Sequence, residues 1–287
     1  MWRYYAFRIA GVTLARLPVR LGYLIACLTA YVVYLASPGL RAHVADNMRH
    51  VLGREADEAE VKQASRHVFR HAAKNYFDLI KLPHLRSGHI EDCTTLLGWR
   101  NFQDAMRKGK GVVLVTAHLG SFDMAAQVLA ARHVKTTVLV EPLEPLPLLE
   151  HVTALRASKG MTLVPAQPGA LNEMMQCLRR GEVVLLACDR DIGKGGLRSS
   201  FFGEETMLPS LAVRAAMRTG AAIVPAFALR RGVGRYEAYL EPALDIAPPG
   251  NGAVAGNMGK LSRVMEKYIK IAPEQWVVLS PVWPNGR

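Results

Sequence analysis

An α/β fold, with a central, largely parallel (mixed) sheet flanked by helices behind N-terminal membrane-associating helices, is predicted from three features of the chain. Short runs rich in Val and Leu, bounded by polar residues, recur from residue 111 onward and have the composition of strands buried on both faces. Segments of helical periodicity fall between them, and strands alternating with helices pack as layers around a sheet. Ahead of both lies an apolar segment flanked by arginines. Two regions are therefore expected: residues 1–54, a basic and apolar membrane-associating helical region, and residues 55–287, the α/β domain.

The N-terminal region rests on charge and length. Residues 21–40, LGYLIACLTAYVVYLASPGL, carry no charge. Their dense apolar part, 21–36, spans about 24 Å as a helix, short of the roughly 30 Å hydrocarbon layer. That length favours a helix lying in one leaflet. The first 54 residues hold seven arginines (3, 8, 16, 20, 41, 49 and 54) against one acid, Asp46. Arginines beside an apolar helix, with Trp2, Tyr4, Tyr5 and Tyr23, make an anchor for an anionic membrane surface. The alternative is a buried core helix. A cleaved signal peptide is disfavoured by the poor small-x-small pattern after the apolar run.

The following elements are read in order. Residues 56–81 begin acidic (EADEAEVK) and continue with Val61, Val68, Phe69, Tyr76 and Phe77 at helical intervals, a helix by its pattern. Strands are expected at 111–117, 136–141, 182–188, 221–230 and 235–244, and helices at 123–132, 146–159, 170–180 and 211–219. No internal repeat or linker interrupts them.

Composition bounds the function. With 50% hydrophobic residues, mean hydropathy +0.09, 24 Gly and 16 Pro in 287 residues, disordered and collagen-like classes are excluded. The net charge of +12 calls for an anionic partner: nucleic acid, an acidic membrane surface, or phosphorylated substrates and acidic carriers. Cys27, Cys93, Cys177 and Cys188 form no C-x-x-C pair and read as reduced thiols of a cytoplasmic protein.

Active sites of open α/β sheets gather beyond the carboxyl ends of strands, and two strand ends carry titratable groups. In VLVTAHLGSFDMAAQ, His118 leaves the strand, Leu119-Gly120-Ser121-Phe122 turns, and Asp123 opens a helix. A carboxylate five residues after a histidine, across a turn, can fold back onto the imidazole, fix its tautomer and support the imidazolium. Such a dyad without its own nucleophile suits a substrate that supplies the hydroxyl. Backbone N–H groups near Gly120 and at the start of the following helix are candidates for an oxyanion site. Two alternatives stand beside this: Asp123 as a helix cap, and Ser121 as a nucleophile, although the second glycine of an elbow is missing.

The other strand end reads CDRDIGKGGLRSSFFGEETMLPS from residue 188. Asp189 and Asp191 leave a buried strand into a loop rich in Gly, Lys and Arg, with Lys194 and Arg198 as anion contacts. The loop is not a Walker motif, because no Ser or Thr follows the lysine. A plain surface loop is the alternative. Phe201 and Phe202 are read as a buried turn or an apolar wall for a chain-like substrate.

At these residues the sequence resembles the bacterial lipid A biosynthesis acyltransferases, a family that includes phosphatidylinositol mannoside acyltransferases and belongs to the glycerolipid acyltransferase superfamily. His118 to Asp123 matches the H-x4-D signature, with Gly120 two residues after the histidine. Arg156 and Gly160 resemble an R-x3-G segment, residues 201–209 the FFGE-x4-P segment, residues 273–278 (PEQWVV) the P-x-x-W/Y element, and residues 47–53 (NMRHVLG) an N-terminal block. Two departures are visible: Ser121-Phe122 replaces the usual Asn-Trp, and Asp189 stands where mannoside acyltransferases typically carry Glu.

The resemblance implies a glycerolipid-acyltransferase-like fold and O-acyl transfer. A fatty acyl group would pass from an acyl-CoA or acyl-ACP thioester, the co-substrate, to a hydroxyl of a glycolipid or phospholipid, with no cofactor or metal. His118 would be the general base, oriented by Asp123. Asp189 would lie near the site, and Arg156 would hold a phosphate. The expected partners are a membrane lipid acceptor, the acyl donor and an anionic membrane surface, with no nucleic acid. The expected location is the cytoplasmic face of a bacterial plasma membrane. Two other classes stand beside this one: a metal-dependent phosphoesterase using His118, Asp123, Asp189 and Asp191, and a non-enzymatic basic module binding anionic lipid or nucleic acid.

Overall fold

The computed structural model describes residues 5, 8, 9, 11, 13–53, 55–191 and 195–283. The expected roles of Trp2, Arg3, Tyr4, Arg54 and Lys194 lie outside the described residues. Helices α1 (Val19–Ala36), α2 (Pro38–Leu52), α3 (Glu58–Lys81) and α4 (Ser87–Asp92) come first. They lead into β1 (Thr94–Leu97), α5 (Trp99–Met106), β2 (Val112–Thr116), α6 (Phe122–Ala131), β3 (Thr136–Val140) and α7 (Leu146–Ala157). The chain continues through β4 (Thr162–Pro165), α8 (Ala170–Arg179), β5 (Val183–Ala187), a hairpin of β6 (Leu197–Phe201) and β7 (Glu204–Leu208), and α9 (Leu211–Thr219). It ends with β8 (Ala222–Gly232), β9 (Arg235–Leu240) and α10 (Ala253–Ile271).

Seven strands form one sheet in the order β1-β9-β8-β2-β5-β3-β4. Every pairing is parallel except β8 with β9. β2 sits between β5 and β8 and is buried along all five residues, which explains its unbroken apolar run. Its side chains alternate between two cores: Val113 and Val115 face one, which includes Val44 and Met48 of α2, while Val112 and Leu114 face Phe102 of α5 and Leu129 of α6.

Among the described residues, α1 is the helix long and apolar enough to cross a membrane by length and composition. It packs with one side only. Gly22 lies so close to α3 that a Cβ would stand 2.0 Å from the Phe77 ring, and the Tyr23 and Phe77 rings meet edge to face at 5.8 Å. Leu24, Leu28, Val32 and Leu35 on its other side are exposed, so the core-helix alternative for this segment does not hold. α3 starts at Glu58 because the Asp57 carboxylate accepts the Glu60 N–H at 2.6 Å, a capping bond reinforced by first-turn acids.

The loop expected after β5 is in part the β6–β7 hairpin. Arg198 lies on that hairpin, where the Glu205 carboxylate of the facing strand pairs with it at 3.1 Å in solvent. Phe201 takes the buried-turn reading: it is fully buried against Trp276 and Trp283.

Candidate active site

Register builds the site. Val112 pairs with Val183 and Thr116 with Ala187 in the parallel β2–β5 ladder. Two residues further along each chain, His118 and Asp189 emerge side by side from the carboxyl ends. His118 Nδ1 lies 2.8 Å from Asp189 Oδ1, and the His118 backbone N–H donates to Asp189 Oδ2 at 2.9 Å. The Trp276 indole N–H donates to the same Oδ2 at 2.7 Å. Asp189 is 0% exposed. Burial alone would raise its pKa, but the facing imidazole and these three bonds outweigh that and hold it at about 2.

This pairing corrects the expected dyad. The carboxylate on His118 is that of Asp189; Asp123 instead accepts a two-pronged bond from Arg156, at 2.7 Å from Nε and 3.0 Å from Nη2. Asp123 sits in the first turn of α6, where both its oxygens meet the guanidinium that α7 presents in its last turn. A fork-to-carboxylate bond of this kind is strong and directional. Gln127 on the next turn of α6 donates to the Arg156 carbonyl at 3.1 Å, fixing the pair from behind.

The turn between His118 and α6 is held from several directions. Gly120 has φ +59°, and a Cβ there would stand 2.1 Å from the Ala228 carbonyl oxygen, so only glycine fits. Its N–H donates to the Gln275 carbonyl at 2.9 Å; the Gly120 amide is therefore spent on the C-terminal segment, which corrects its expected oxyanion role. The Val277 N–H donates to the His118 carbonyl at 2.8 Å, and Leu119 bridges Trp276. Ser121 is buried, and its hydroxyl donates to Asp78 at 3.0 Å. It faces a carboxylate inside the protein and not a substrate, which removes the nucleophile alternative. The Cys188 thiol next to Asp189 is buried too, and burial pushes its pKa up, keeping it inert.

His118, Asp123 and Arg156 line one cavity of about 1360 Å³. It runs along the sheet face past Leu114, Leu185 and Ala226 beneath α6. Glu141 and Arg190, an ion pair, and Asp191 stand on its wall. Asp191 accepts the Gly196 N–H at 2.9 Å. Among the described residues no three His, Cys, Asp or Glu side chains are grouped to hold a metal ion. The four residues of the metal reading are instead divided between the Arg156 pair, the His118–Asp189–Trp276 unit and the Asp191 turn.

In the sequence Trp276 stands out only as part of the PEQWVV block, and nothing there signals its hydrogen bond to Asp189. Asn47 is the same kind of residue. It is buried, donates to the carbonyls of Val278 and Ser280, and accepts the Val282 N–H. It thereby pins the C-terminal segment that carries Trp276. These two blocks, far apart in sequence, meet under the site.

The bacterial lipid A biosynthesis acyltransferase family model matches residues 1–285. A phosphatidylinositol mannoside acyltransferase of Mycobacterium tuberculosis is 32% identical over 190 residues, 65% of this chain and 58% of that protein. One from Mycolicibacterium smegmatis is 26% identical, covering 74% of this chain and 69% of its own length. The lipid A biosynthesis lauroyltransferase of Escherichia coli is 28% identical over 65% of this chain and 60% of its own. The alignment thus spans less than two thirds of the Mycobacterium tuberculosis relative. With the His118 turn and the Arg156 pair on one cavity, Trp276 behind them on Asp189, and the family model running through all of them, the chain belongs to the bacterial lipid A biosynthesis acyltransferase family.

Proposed function

We propose that the protein is a membrane-associated O-acyltransferase that moves a fatty acyl group from an acyl-CoA or acyl-ACP thioester to a hydroxyl of a glycolipid or phospholipid. A phosphatidylinositol mannoside or a lipid A-type precursor is the acceptor class. The observation that carries this reading is the His118–Asp189 pair opening onto a large apolar cavity, with Ser121 and Cys188 both closed off as nucleophiles. With Nδ1 donating to Asp189, Nε2 is the ring nitrogen left to accept a proton. His118 takes the proton of the acceptor hydroxyl, and that oxygen attacks the thioester carbonyl. The C–S bond breaks as the ester forms, and the imidazolium returns its proton to the departing thiolate. Asp189 stays ionised and steadies the imidazolium in between.

Arg156, clamped by Asp123 on one edge, turns its remaining Nη1 to phosphate of the donor or acceptor. The cavity wall of Leu114, Leu185 and Ala226 suits an acyl chain. The exposed apolar side of α1 and the Arg-rich N-terminal sequence suit an anionic leaflet, which supports a place on the cytoplasmic face of the membrane. The test is acyl transfer from radiolabelled acyl-CoA and acyl-ACP to extracted bacterial membrane lipids. The wild type is expected to label one lipid class, and His118→Ala to lower that rate by about 10²–10⁴. Equal activity in both removes His118 as the base.

A further inference from the structure

Below the catalytic turn lies a second buried charged cluster that the proposed chemistry leaves unused. Arg230 of β8 and Asp78 of α3 pair at 2.7 Å, with side chains 3% and 4% exposed. Arg230 Nη2 donates to Asn75 Oδ1 at 2.6 Å, and Nη1 donates to the Tyr23 hydroxyl as well as to Asp78. The hydroxyls of Tyr23 and Tyr236 donate to Asp78 at 2.9 and 3.1 Å. Burial pushes the pKa of both hydroxyls up, keeping them neutral donors.

Three arms reach from this cluster to the turn. Ser121 Oγ donates to Asp78 Oδ2, and Asn75 Nδ2 donates to the Gly120 carbonyl at 2.6 Å. Gln275 pairs its side-chain amide with the Arg230 backbone N–H and carbonyl at 2.8 and 3.1 Å, while its own carbonyl takes the Gly120 N–H. As a stabilising device alone such a cluster is poor, since well-packed apolar residues often replace buried ion pairs without loss. What it does supply is geometry. Four elements, α1, α3, β8 and β9, converge on one carboxylate that also holds the turn. Of these, α1 contributes a single hydroxyl and leaves its far side exposed, so its seating is the one an outside surface can alter.

We propose that Tyr23, Asp78 and Arg230 form a positioning relay through which the seating of α1 against α3 sets the Gly120–Ser121 turn and, with it, the orientation of His118. The relay rests on the reading of His118 as the base only for its effect on rate; its effect on the turn stands apart. Tyr23→Phe removes one hydroxyl and keeps the ring, and Ser121→Ala removes one arm. Amide hydrogen exchange of the wild type and both variants is the primary test. Tyr23→Phe is expected to speed exchange across residues 119–123 about tenfold, the value of one buried hydrogen bond, with β5 unchanged.

Coupling is reciprocal, so Ser121→Ala is expected to speed exchange in the first turns of α1, which keeps the test intact should Tyr23→Phe fold poorly. Unchanged exchange in the distant segment overturns the relay. In acyl-transfer assays each variant is expected to lower kcat about tenfold with the donor KM within twofold. The double variant is expected to fall no further than the worse single one, because both act through Asp78. Multiplicative losses, or losses confined to KM, also overturn it. A wild type no more active than His118→Ala defeats the acyl-transfer reading instead, while the exchange result still decides the relay.

Discussion

Two buried aspartates organise this molecule, and they differ in what they open onto. Asp189 collects the His118 ring, the His118 backbone N–H and the Trp276 indole, and the histidine in that group lines the cavity. Asp78 collects Arg230, Tyr23, Tyr236 and Ser121, and all of these are buried. The ingredients are alike: a carboxylate, a cationic or ionisable partner and neutral donors, shut away from water. The difference lies in access. Where a direct partner of the carboxylate meets a cavity, the cluster can pass a proton to and from a substrate; around Asp78 no direct partner does, the cavity wall being reached through Asn75 on the far side of Arg230, and the same bonds fix positions. A buried charged network is therefore read as catalytic from its edge, and not from its strength.

The largest expected effect tests which carboxylate serves His118. Asp189→Asn keeps the side-chain volume but withdraws the charge that, in the proposed chemistry, steadies the imidazolium, and offers Nδ1 a mixed donor and acceptor. Its kcat is expected to fall by about 10³–10⁴. Asp123→Asn loosens Arg156 and is expected to raise the donor or acceptor KM roughly tenfold, with kcat changed much less. Steady-state kinetics of the two variants side by side checks this. If Asp123→Asn carries the larger loss in kcat, the pairing of His118 with Asp189 is not the working one.

This assignment also marks what the sequence could and could not reveal. The strands around 112–116, 136–140 and 183–187 were legible because buried parallel strands are continuous apolar runs, and α9 was found to the residue. His118 was legible from its place after such a strand. Its partner was misread because a local motif offered Asp123, five residues away, whereas the true neighbour is set by ladder register across residues far apart in the chain. Aligning VVLVTAH on VVLLACD, the two most buried strands, would have put His118 opposite Asp189. β1 and β4 escape the pattern because four residues, three of them exposed or partly so in each, give too little periodicity. The Tyr23–Asp78–Arg230 cluster leaves no signal in the sequence, since its members come from three elements with no common spacing.

Trp276 tests the open cluster more finely. Trp276→Phe keeps a ring among Phe201, Phe202 and Trp283 and deletes only the N–H on Asp189 Oδ2. A hydrogen bond to a buried charge is worth about 1.5–3 kcal/mol, so kcat is expected to drop roughly 10–100-fold. The KM values should stay near those of the wild type, because the indole does not line the cavity. Stopped-flow or steady-state rates with saturating donor and acceptor provide the check, with thermal unfolding as a control on packing. A loss in Tm without a loss in kcat would make Trp276 a core residue and leave His118 and the Asp189 oxygens to set their own geometry.

The smallest effect belongs to the closed cluster and appears in stability. His71 on α3 is mostly buried, and its Nδ1 has no hydrogen-bond partner. Burial first, and then the charges of Arg230, Lys74 and His67, lower its pKa from 6.5 to about 3. The unfolded chain thus takes up a proton below pH 6.5 that the folded chain refuses until about pH 3. Stability is full above pH 6.5 and is lost as pH falls through this window, by up to about 1.4 kcal/mol per pH unit. His71→Leu removes the titration and keeps the volume apolar. Urea unfolding between pH 6.5 and 4.5, above the range where Asp189 begins to take up protons, is expected to show a slope for the wild type that is markedly shallower in the variant. Parallel curves would mean that His71 is less sealed from water, and so from protons, than its burial implies.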